Sequence, residues 1–241
     1  MSERLLAAQS PLGRARLNFY VKWKRVAWIC VTGFAYFLKR VFDIVVSLIA
    51  MLFLSPVFAG IAIAVKMDGG PIFFRQTRYG LHGREFKMLK YRSMCVDAEA
   101  KLKDLLALNE KKEGITFKIK DDPRITKIGR ILRKSSLDEL PQFWNVLKGE
   151  MSLVGPRPPV KREVELYEQR HRDRLYVKPG ITCLWQVGER KGGWTEIGDR
   201  NAIDFEEQVD LDVRYIESQS FWKDIWLLLK TVPAILFGKG A

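Results

Sequence analysis

The chain has 241 residues, enough for one ordinary domain with appendages, and 47% of them are hydrophobic. This composition excludes a disordered tail and a polytopic membrane bundle. The formal net charge of +13 indicates a polyanionic partner, such as a nucleic acid, an anionic membrane surface or a phosphate-bearing substrate. The three cysteines share no Cys-x-x-Cys spacing and there are two histidines, so a disulfide framework, a zinc site and a Ser-His-Asp triad are disfavoured.

Residues 1–40 form a basic arm, with eight lysines and arginines against one acid. They lack the apolar core and small-residue cleavage site of a signal peptide, so we interpret them as an arm lying against a membrane rather than a cleaved address. Within the arm, residues 26–37 are apolar but too short to span a bilayer. We expect this segment to lie in the interface, with Trp23 and Trp28 at headgroup level.

Residues 41–65 form an apolar run with a single charge, Asp43, which we expect to pair with a basic residue one turn earlier or to snorkel to water. One helix of this length would measure about 37 Å against a hydrocarbon core of ~30 Å, so a tilted crossing helix is one interpretation. Ser55 and Pro56 interrupt the run, and the interior proline leaves two arms that are each too short to span. Basic residues flank both ends, which the positive-inside rule places on one side of the membrane. These features favour a re-entrant hairpin bent at Ser55-Pro56; a crossing helix and a buried core helix remain alternatives.

From residue 67 the sequence becomes mixed and polar. Residues 72–74 and 86–94 have the pattern of short strands joined through a turn at 79–83. Residues 97–109 have the pattern of an exposed amphipathic helix. The aspartate and proline at 122–123 predict the start of another helix, with the aspartate as N-cap.

An acidic pair, Asp138 and Glu139, precedes a proline that is tolerated only in the first turn of a helix. A helix is therefore predicted from Asp138 to Gly149, with both carboxylates at its N-terminus, where backbone N–H groups favour anions. The alternative is that they are only an N-cap and a first-turn acid. Arg157 follows in a proline-rich turn and is a candidate phosphate clamp near the two carboxylates; the alternative is a salt bridge in a structural turn.

Motifs from residue 39 to the C-terminus together resemble one known family, the bacterial polyprenyl-phosphate sugar-1-phosphate transferases, or monotopic phosphoglycosyl transferases. The block at 122–158, with SLDELPQ followed by SLVGPRP, is the most specific part of this resemblance. The other motifs are KRVFD (39–43), the Ser-Pro break at 55–56, GPIFFRQTRYG (70–80), FKMLKYRSM (86–94) and PGIT (179–182).

The resemblance implies a two-step displacement. Asp138 would attack the sugar-bearing phosphate of a UDP-sugar and release UMP, and undecaprenyl phosphate would then take the phosphosugar from the enzyme. Glu139 would be associated with Mg²⁺, the expected cofactor and metal. Because both substrates are anions, we expect Lys90, Arg92 and Arg133, together with Arg157, to bind their phosphates.

The implied fold class is α+β: a mostly helical monotopic membrane enzyme with a small β-sheet and a re-entrant, proline-broken membrane helix. The expected location is the bacterial inner membrane, with the catalytic part on the cytoplasmic face, in exopolysaccharide or O-antigen assembly. Larger family members carry transmembrane helices ahead of this core, so the chain is expected to be the short form. The expected domains are a basic arm at 1–38, the hairpin at 39–66, the catalytic core at 67–200 and C-terminal amphipathic helices at 201–241.

The expected partners are a UDP-sugar, undecaprenyl phosphate and the lipid bilayer, with no nucleic acid; a homodimer is left open. The sugar is also left open, because Cys183 stands where the family commonly has glycine. Asp210-Leu211-Asp212 imitates a metal motif, but the segment is predicted to be helical, which points the two acids apart. Alternative functions are a nucleic-acid binder, a membrane scaffold without catalysis, and a glycosyltransferase that releases UDP.

Overall fold

The computed structural model describes residues 10–98, 100–101, 122–190, 193–194 and 203–237. The chain divides into two units, Met1–Phe42 and Asp43–Ala241. Most of the predicted helix at 97–109 lies outside the described residues, from residue 102 onward, as do the first nine residues of the basic arm.

A break between two helices occurs where the sequence predicts it. Helix α1 spans Pro11–Phe53 and helix α2 spans Ser55–Met67, with a bend of 65° between them. Pro56 has no N–H with which to bond the carbonyl four residues earlier, that of Leu52. The hydroxyl of Ser55 donates to this carbonyl instead, at 2.7 Å. The serine thus satisfies the acceptor that the proline leaves open, and the predicted break is confirmed.

The bent pair has the length and composition of a membrane segment. Within the described ranges no helix on its own is long and apolar enough to cross a bilayer, whereas α1 and α2 taken together are. Trp23 and Trp28, which the sequence places at headgroup level, are exposed on α1. A bend of this size is compatible with a broken span and with a re-entrant loop.

Asp43, the acid of the apolar run, is buried, with only 2% of its surface exposed. Strand β3 spans Ser152–Val154. The Oδ1 atom of Asp43 accepts hydrogen bonds from the Ser152 hydroxyl and from the Leu153 N–H, both at 3.1 Å. The expectation that this carboxylate snorkels to water is therefore wrong, because a strand far along the chain supplies donors for it.

An antiparallel hairpin follows the bent helices. Strand β1 spans Phe73–Tyr79 and β2 spans Glu85–Tyr91, which confirms two strands joined by a turn. The first strand extends further than predicted because its arginines lie within the ladder rather than after it. The register pairs Phe74 with Lys90, Gln76 with Met88 and Arg78 with Phe86.

Helix α3 spans Lys127–Lys134 and begins later than predicted. Its N-cap is Thr126, whose hydroxyl accepts from the Gly129 N–H at 3.0 Å. Asp122 was expected to be this cap, and that prediction is wrong. Its carboxylate instead accepts from the backbone N–H and the guanidinium of Arg124, a bond that also holds the pKa of Asp122 below its usual value. This local turn stabilises a non-helical backbone before Thr126.

The predicted helix from Asp138 to Gly149 is divided in two. A 3₁₀ turn spans Leu137–Glu139, and helix α4 spans Gln142–Lys148. The two acids therefore lie in the turn and not at the start of the helix. Ser136, with φ of 55°, reverses the chain before the turn, and the proline at 141 precedes α4. Gly149 has φ of 83°, as predicted for a residue that ends a helix.

One side of α2 packs on the remainder of the fold. Ile61 and Val65 of α2 form a buried cluster with Tyr91 of β2 and Leu132 of α3. The hydroxyl of Tyr91 also donates to the Phe58 carbonyl of α2, at 3.0 Å. This cluster fixes the second arm of the bent pair against the hairpin and α3.

A second pairing connects two proline-containing loops. Strand β4 spans Gly180–Thr182 and pairs in parallel with β3. A Cβ atom on Gly180 would lie 2.1 Å from the backbone nitrogen of Gly155, so a side chain there cannot be accommodated. The loop that carries Arg157 is therefore held directly against β4.

The C-terminal part is helical and amphipathic, as predicted. Helix α6 spans Phe205–Glu217 and contains Asp210 and Asp212, each bound to an arginine of the 170–176 turn. In helix α7, which spans Phe221–Phe237, Trp222 is exposed whereas Leu227 is fully buried. The remaining elements are α5 (Lys161–Glu165), β5 (Glu189–Arg190), β6 (Gly193–Trp194) and 3₁₀ turns at Leu81–Gly83, Arg170–Tyr176 and Trp185–Val187.

We predict that Gly129→Ala destabilises the fold whereas Gly60→Ala does not. A Cβ on Gly129 would lie 1.9 Å from the carbonyl oxygen of Ser93, so α3 would have to move away from the hairpin at a cost of about 1–3 kcal/mol. A Cβ on Gly60 meets nothing within 4 Å, and alanine is the better helix former. Thermal unfolding in detergent measures both; equal melting temperatures for the two variants would contradict the close packing of α3.

Candidate active site

The two acids of the Leu137–Glu139 turn lie between hydrophobic neighbours that fix the turn in place. Leu137 and Leu140 both pack against the buried cluster formed by α2, β2 and α3. Asp138 is buried, at 7% exposure, whereas about a third of the Glu139 side chain is exposed. The turn is therefore attached to the bent helix pair by the leucines, and presents one buried and one accessible carboxylate.

Lys90 of β2 binds the accessible carboxylate. Its Nζ donates to Oε1 of Glu139 at 2.6 Å. The strand that carries it is connected to α4 by Asn145, whose Oδ1 accepts from the Leu89 N–H at 2.9 Å and whose Nδ2 donates to the Lys87 carbonyl at 2.8 Å. Asn145 is fully buried and was not singled out from the sequence, since a lone asparagine in a helix carries no local signal. Its role is to hold Lys90 in register with the turn.

Arg133 of α3 approaches the buried carboxylate. Its Nε donates to the hydroxyl of Ser93 at 2.9 Å, and its charge acts on Asp138. Burial lowers the pKa of Arg133, while the charge of Asp138 opposes this shift. Two of the four predicted phosphate-binding residues, Lys90 and Arg133, thus lie beside the acidic turn.

The two carboxylates differ in acidity. Burial raises the pKa of Asp138 to about 6, aided by the charge of Glu139 and opposed by Lys90 and Arg133. Burial also disfavours the charge on Glu139, but Lys90, through its charge and hydrogen bond, and Arg157 hold the pKa of Glu139 below its usual value. At neutral pH both groups are ionised, and Asp138 is the more basic of the pair.

Arg157 lies across a small cleft from the turn, together with an arginine that the sequence analysis missed. Arg78 is buried, and its NH1 donates to the Pro158 carbonyl at 2.8 Å. Burial and the neighbouring Arg157 lower the pKa of Arg78 to about 10. Its place in the GPIFFRQTRYG motif was a signal that could have been used. The cleft is lined by Arg78, Met88, Lys90, Glu139, Gln142, Arg157, Pro158, Gly180, Ile181 and Gln186.

Arg92 has a structural position. Its Nε donates to the Pro71 carbonyl at 2.8 Å, and NH2 donates to the carbonyls of Val65 and Gly69. It is also buried and does not line the cleft. These bonds join the end of α2 to the hairpin, and the structure does not bring Arg92 to the cleft where Lys90 and Arg157 lie.

Gln186 contributes a neutral donor to the cleft. The thiol of Cys183 donates to its Oε1 at 3.2 Å, and burial raises the pKa of this thiol well above its usual value, so it stays protonated. With Oε1 held in this way, the amide nitrogen of Gln186 has no hydrogen-bond partner within the described part of the chain. Cys183, the departure from the family pattern, therefore sets the orientation of a cleft residue.

A magnesium ion would fit this site only with help from a substrate. The described residues hold no group of three or more histidine, cysteine, aspartate or glutamate side chains that could bind a metal. Mg²⁺, however, is commonly bound by one or two carboxylates together with substrate phosphates and water. The exposed carboxylate of Glu139 meets that requirement.

Comparison with known proteins covers most of the chain, including the acidic turn. A family model described as bacterial sugar transferase matches residues 34–238. The chain belongs to this family.

Relatives of this family member differ in length. This chain is 49% identical over 203 residues to the galactosyl transferase CpsE of Streptococcus agalactiae. The aligned region covers 84% of this chain and 43% of CpsE. The chain is 43% identical over 208 residues to the undecaprenyl-phosphate galactose phosphotransferase of Salmonella typhimurium, with coverage of 85% and 42%. Identity to the exopolysaccharide production protein ExoY of Rhizobium meliloti is 38% over 207 residues, with coverage of 84% and 87%. The chain thus spans less than half of the first two relatives and most of the third.

We predict that Lys90→Met in this sugar transferase family member shifts the acidic limb of its pH–rate profile upward. Lys90 lowers the pKa of Asp138, so its removal raises that pKa above about 6, and a smaller fraction of Asp138 is ionised near neutral pH. The pH dependence of kcat/KM measures the shift. Lys87→Met is the matched control, because Lys87 is exposed on the same strand and binds Thr77. An unchanged acidic limb in Lys90→Met would show that this lysine does not control the ionisation of Asp138.

We further predict that Cys183→Ala raises the KM for the sugar donor several-fold, whereas Cys183→Ser stays closer to the parent. Serine keeps a donor for Oε1 of Gln186 and alanine does not, so only alanine frees the amide to rotate. The kcat should change little in either variant, since Cys183 does not line the cleft. Equal KM values for both variants would assign Cys183 to packing alone.

Proposed function

We propose that the chain transfers a hexose 1-phosphate from a UDP-sugar to undecaprenyl phosphate and releases UMP. The observation that carries the proposal is the Leu137–Glu139 turn, which combines a buried carboxylate of raised pKa with a lysine-bound carboxylate and packs on α2. The relative from Salmonella typhimurium is named an undecaprenyl-phosphate galactose phosphotransferase, which is the class of reaction that we propose for this chain. The name of the relative ExoY assigns that protein to exopolysaccharide production.

In the first step an oxygen of Asp138 attacks the phosphorus that bears the sugar. The bond from this phosphorus to the bridging oxygen breaks, UMP leaves with that oxygen, and the phosphosugar remains as an acyl phosphate on Asp138. Asp138 is buried and does not line the cleft, so its side chain has to rotate towards the cleft before attack. The carboxylate must be ionised, and its pKa of about 6 makes it a stronger base than an exposed aspartate while leaving it charged at neutral pH.

In the second step an oxygen of undecaprenyl phosphate attacks the same phosphorus. The bond to Asp138 breaks and the free carboxylate is restored, so atoms and charge balance over the cycle. The acyl phosphate splits one difficult transfer into two displacements at a single site. Adjacent carboxylates cannot flank a sugar ring, which disfavours hydrolysis at the glycosidic bond.

Cations of the cleft would offset the charge that accumulates during transfer. Lys90, Arg78 and Arg157 lie around the accessible carboxylate, and Arg133 lies by the buried one. Fixed positive groups in a partly dehydrated site stabilise phosphoryl transfer more than they would in water. Mg²⁺, if bound through Glu139, would add neutralising charge on the diphosphate.

The bent helix pair supports a location at a membrane surface. A cleft packed on α2 through Leu137 and Leu140 would lie close to the headgroup layer if α2 enters the bilayer, and the lipid phosphate lies in that layer. Basic residues on both sides of the apolar run favour a hairpin that enters and leaves on the cytoplasmic side. We therefore place the protein at the inner membrane, with its catalytic part in the cytoplasm.

The test compares Asp138→Asn with Glu139→Gln. Detergent-purified protein is incubated with Mg²⁺ and a UDP-hexose labelled in the sugar, and label bound to protein is measured before acceptor is added. Asp138→Asn should lose at least about a thousandfold in labelling rate, because the nucleophile is gone. Glu139→Gln should lose about a hundredfold and need more Mg²⁺, because only a supporting charge is gone.

The nucleotide released separates the proposal from its alternatives. UMP is expected; UDP would indicate an ordinary glycosyltransferase and remove the role of Asp138. Labelling that persists in Asp138→Asn would move the nucleophile to another residue. Full function of this variant in cells would indicate a scaffold without catalysis.

A further inference from the structure

An open groove without an assigned role lies along the first half of β1, where α2 ends. It is lined by the aromatic rings of Phe73 and Phe74, by Pro71 and Ile72, and by two cations, Lys66 and Arg75. We call it the β1 groove. Both phenylalanines are partly exposed, at 43% and 39%. The groove thus combines an apolar surface with two positive charges.

The cations of the β1 groove are available to a ligand. Lys66 donates to the Gly70 carbonyl at 3.4 Å, a long bond to a neutral group, and no acidic side chain among the described residues forms a salt bridge with it. Arg75 is exposed, and in the part of the chain that the structure describes its guanidinium has no hydrogen bond or acidic partner. An anionic group in the groove could therefore bind both cations without displacing an existing ion pair.

One face of the hairpin connects the groove to the candidate active site. Phe74 stands directly opposite Lys90 in the antiparallel register, and side chains of such a pair lie on the same face of the sheet. Lys90 in turn binds Glu139 at 2.6 Å. Further along the same face are Met88 and Arg78, which line the cleft. Phe73 and Arg75 pair with Tyr91 and Leu89 and therefore lie on the opposite face of the hairpin, so the β1 groove runs around strand β1 and adjoins the cleft only on the side of Phe74.

The apolar surface of α2 near the groove indicates a lipid surrounding. Met67, at the end of α2, is 81% exposed and Ile63 is 64% exposed. The β1 groove therefore begins where an apolar helix ends and a basic hairpin starts, which is the polarity profile of an amphiphile with an anionic head.

We propose that the β1 groove binds the polyprenyl phosphate acceptor, with the phosphate on Lys66 and Arg75 and the first isoprene units on Phe73 and Phe74. The proposal rests on the proposed function and adds a separate site for the second substrate. From Arg75, on one face of β1, the phosphate would move past Phe74 to the face of Lys90, where its oxygen would attack the phosphorus held on Asp138. The new phosphorus–oxygen bond forms as the bond to the Asp138 carboxylate breaks.

The test isolates the second step. Protein labelled with phosphosugar is separated from nucleotide sugar, undecaprenyl phosphate is added below saturation, and the loss of label is followed. The double variant Lys66→Gln, Arg75→Gln should form the label at the parent rate and lose it about tenfold more slowly, as expected when charge-assisted hydrogen bonds to the phosphate are removed. Phe74→Ala should slow the loss several-fold, and saturating acceptor should restore most of the rate in both.

The matched control is Arg84→Gln, Lys87→Gln, which removes the same charge from exposed positions at the other end of the hairpin. It should lose label like the parent. Label loss at the parent rate in the groove variants would overturn the proposal, and so would failure of these variants to form the label at all, which would place the groove in the first step. If the groove variants also lose binding to phosphatidylglycerol vesicles and the control does not, the groove is a general phospholipid site. Absence of label in the parent protein would overturn the proposed function itself.

Discussion

Two adjacent carboxylates can be kept ionised in a partly buried turn only if cations surround them. Asp138 and Glu139 meet this constraint through residues from three different parts of the chain: Lys90 of β2, Arg133 of α3 and Arg157 of the proline-rich loop. None of these cations lies in the turn itself. The site therefore exists only when hairpin, helix and loop are assembled, and the turn takes its chemistry from the tertiary fold.

The bent helix pair has two roles that share the same residues. Its second arm, α2, is apolar enough to lie in a membrane, yet Ile61 and Val65 belong to the buried cluster that also holds the leucines beside the acidic turn. The Ser55 hydroxyl compensates the carbonyl that Pro56 leaves without a donor. Ser55 and Pro56 thus set the direction of α2, and the position of the candidate active site depends on the packing of this helix.

Features with a local cause could be predicted from the sequence. The break at Ser55-Pro56, the chain reversal at Gly149 and the helical nature of 205–217 follow from proline geometry, glycine freedom and hydrophobic periodicity. The start of α3 was missed because Asp122 can serve either as a helix cap or in a turn with Arg124, and the sequence allows both.

Features that depend on distant pairing could not be predicted in this way. Asn145 forms hydrogen bonds with residues more than 50 positions away in the sequence, and Arg78 donates to the carbonyl of Pro158, which lies 80 positions away. Arg92 looked like a phosphate ligand because a basic residue in a strand carries no sign of the carbonyls it will meet. Asp138 and Glu139 could nevertheless be identified, because their motif is specific. Of the cations around them, the sequence indicated Lys90, Arg133 and Arg157 but not Arg78.

The hydrogen bonds of Asp43 have a consequence for the order of events during synthesis. The two donors to its carboxylate lie 109 and 110 residues further along the chain. At about 5–20 residues per second, translation delivers them some 5–20 seconds after Asp43 has left the ribosome. During that interval the carboxylate of Asp43 lacks these two donors, so the packing of the apolar segment that carries it cannot yet be final. Asp43 obtains both hydrogen bonds only after strand β3 has been synthesised, and a chain truncated before Ser152 would lack them.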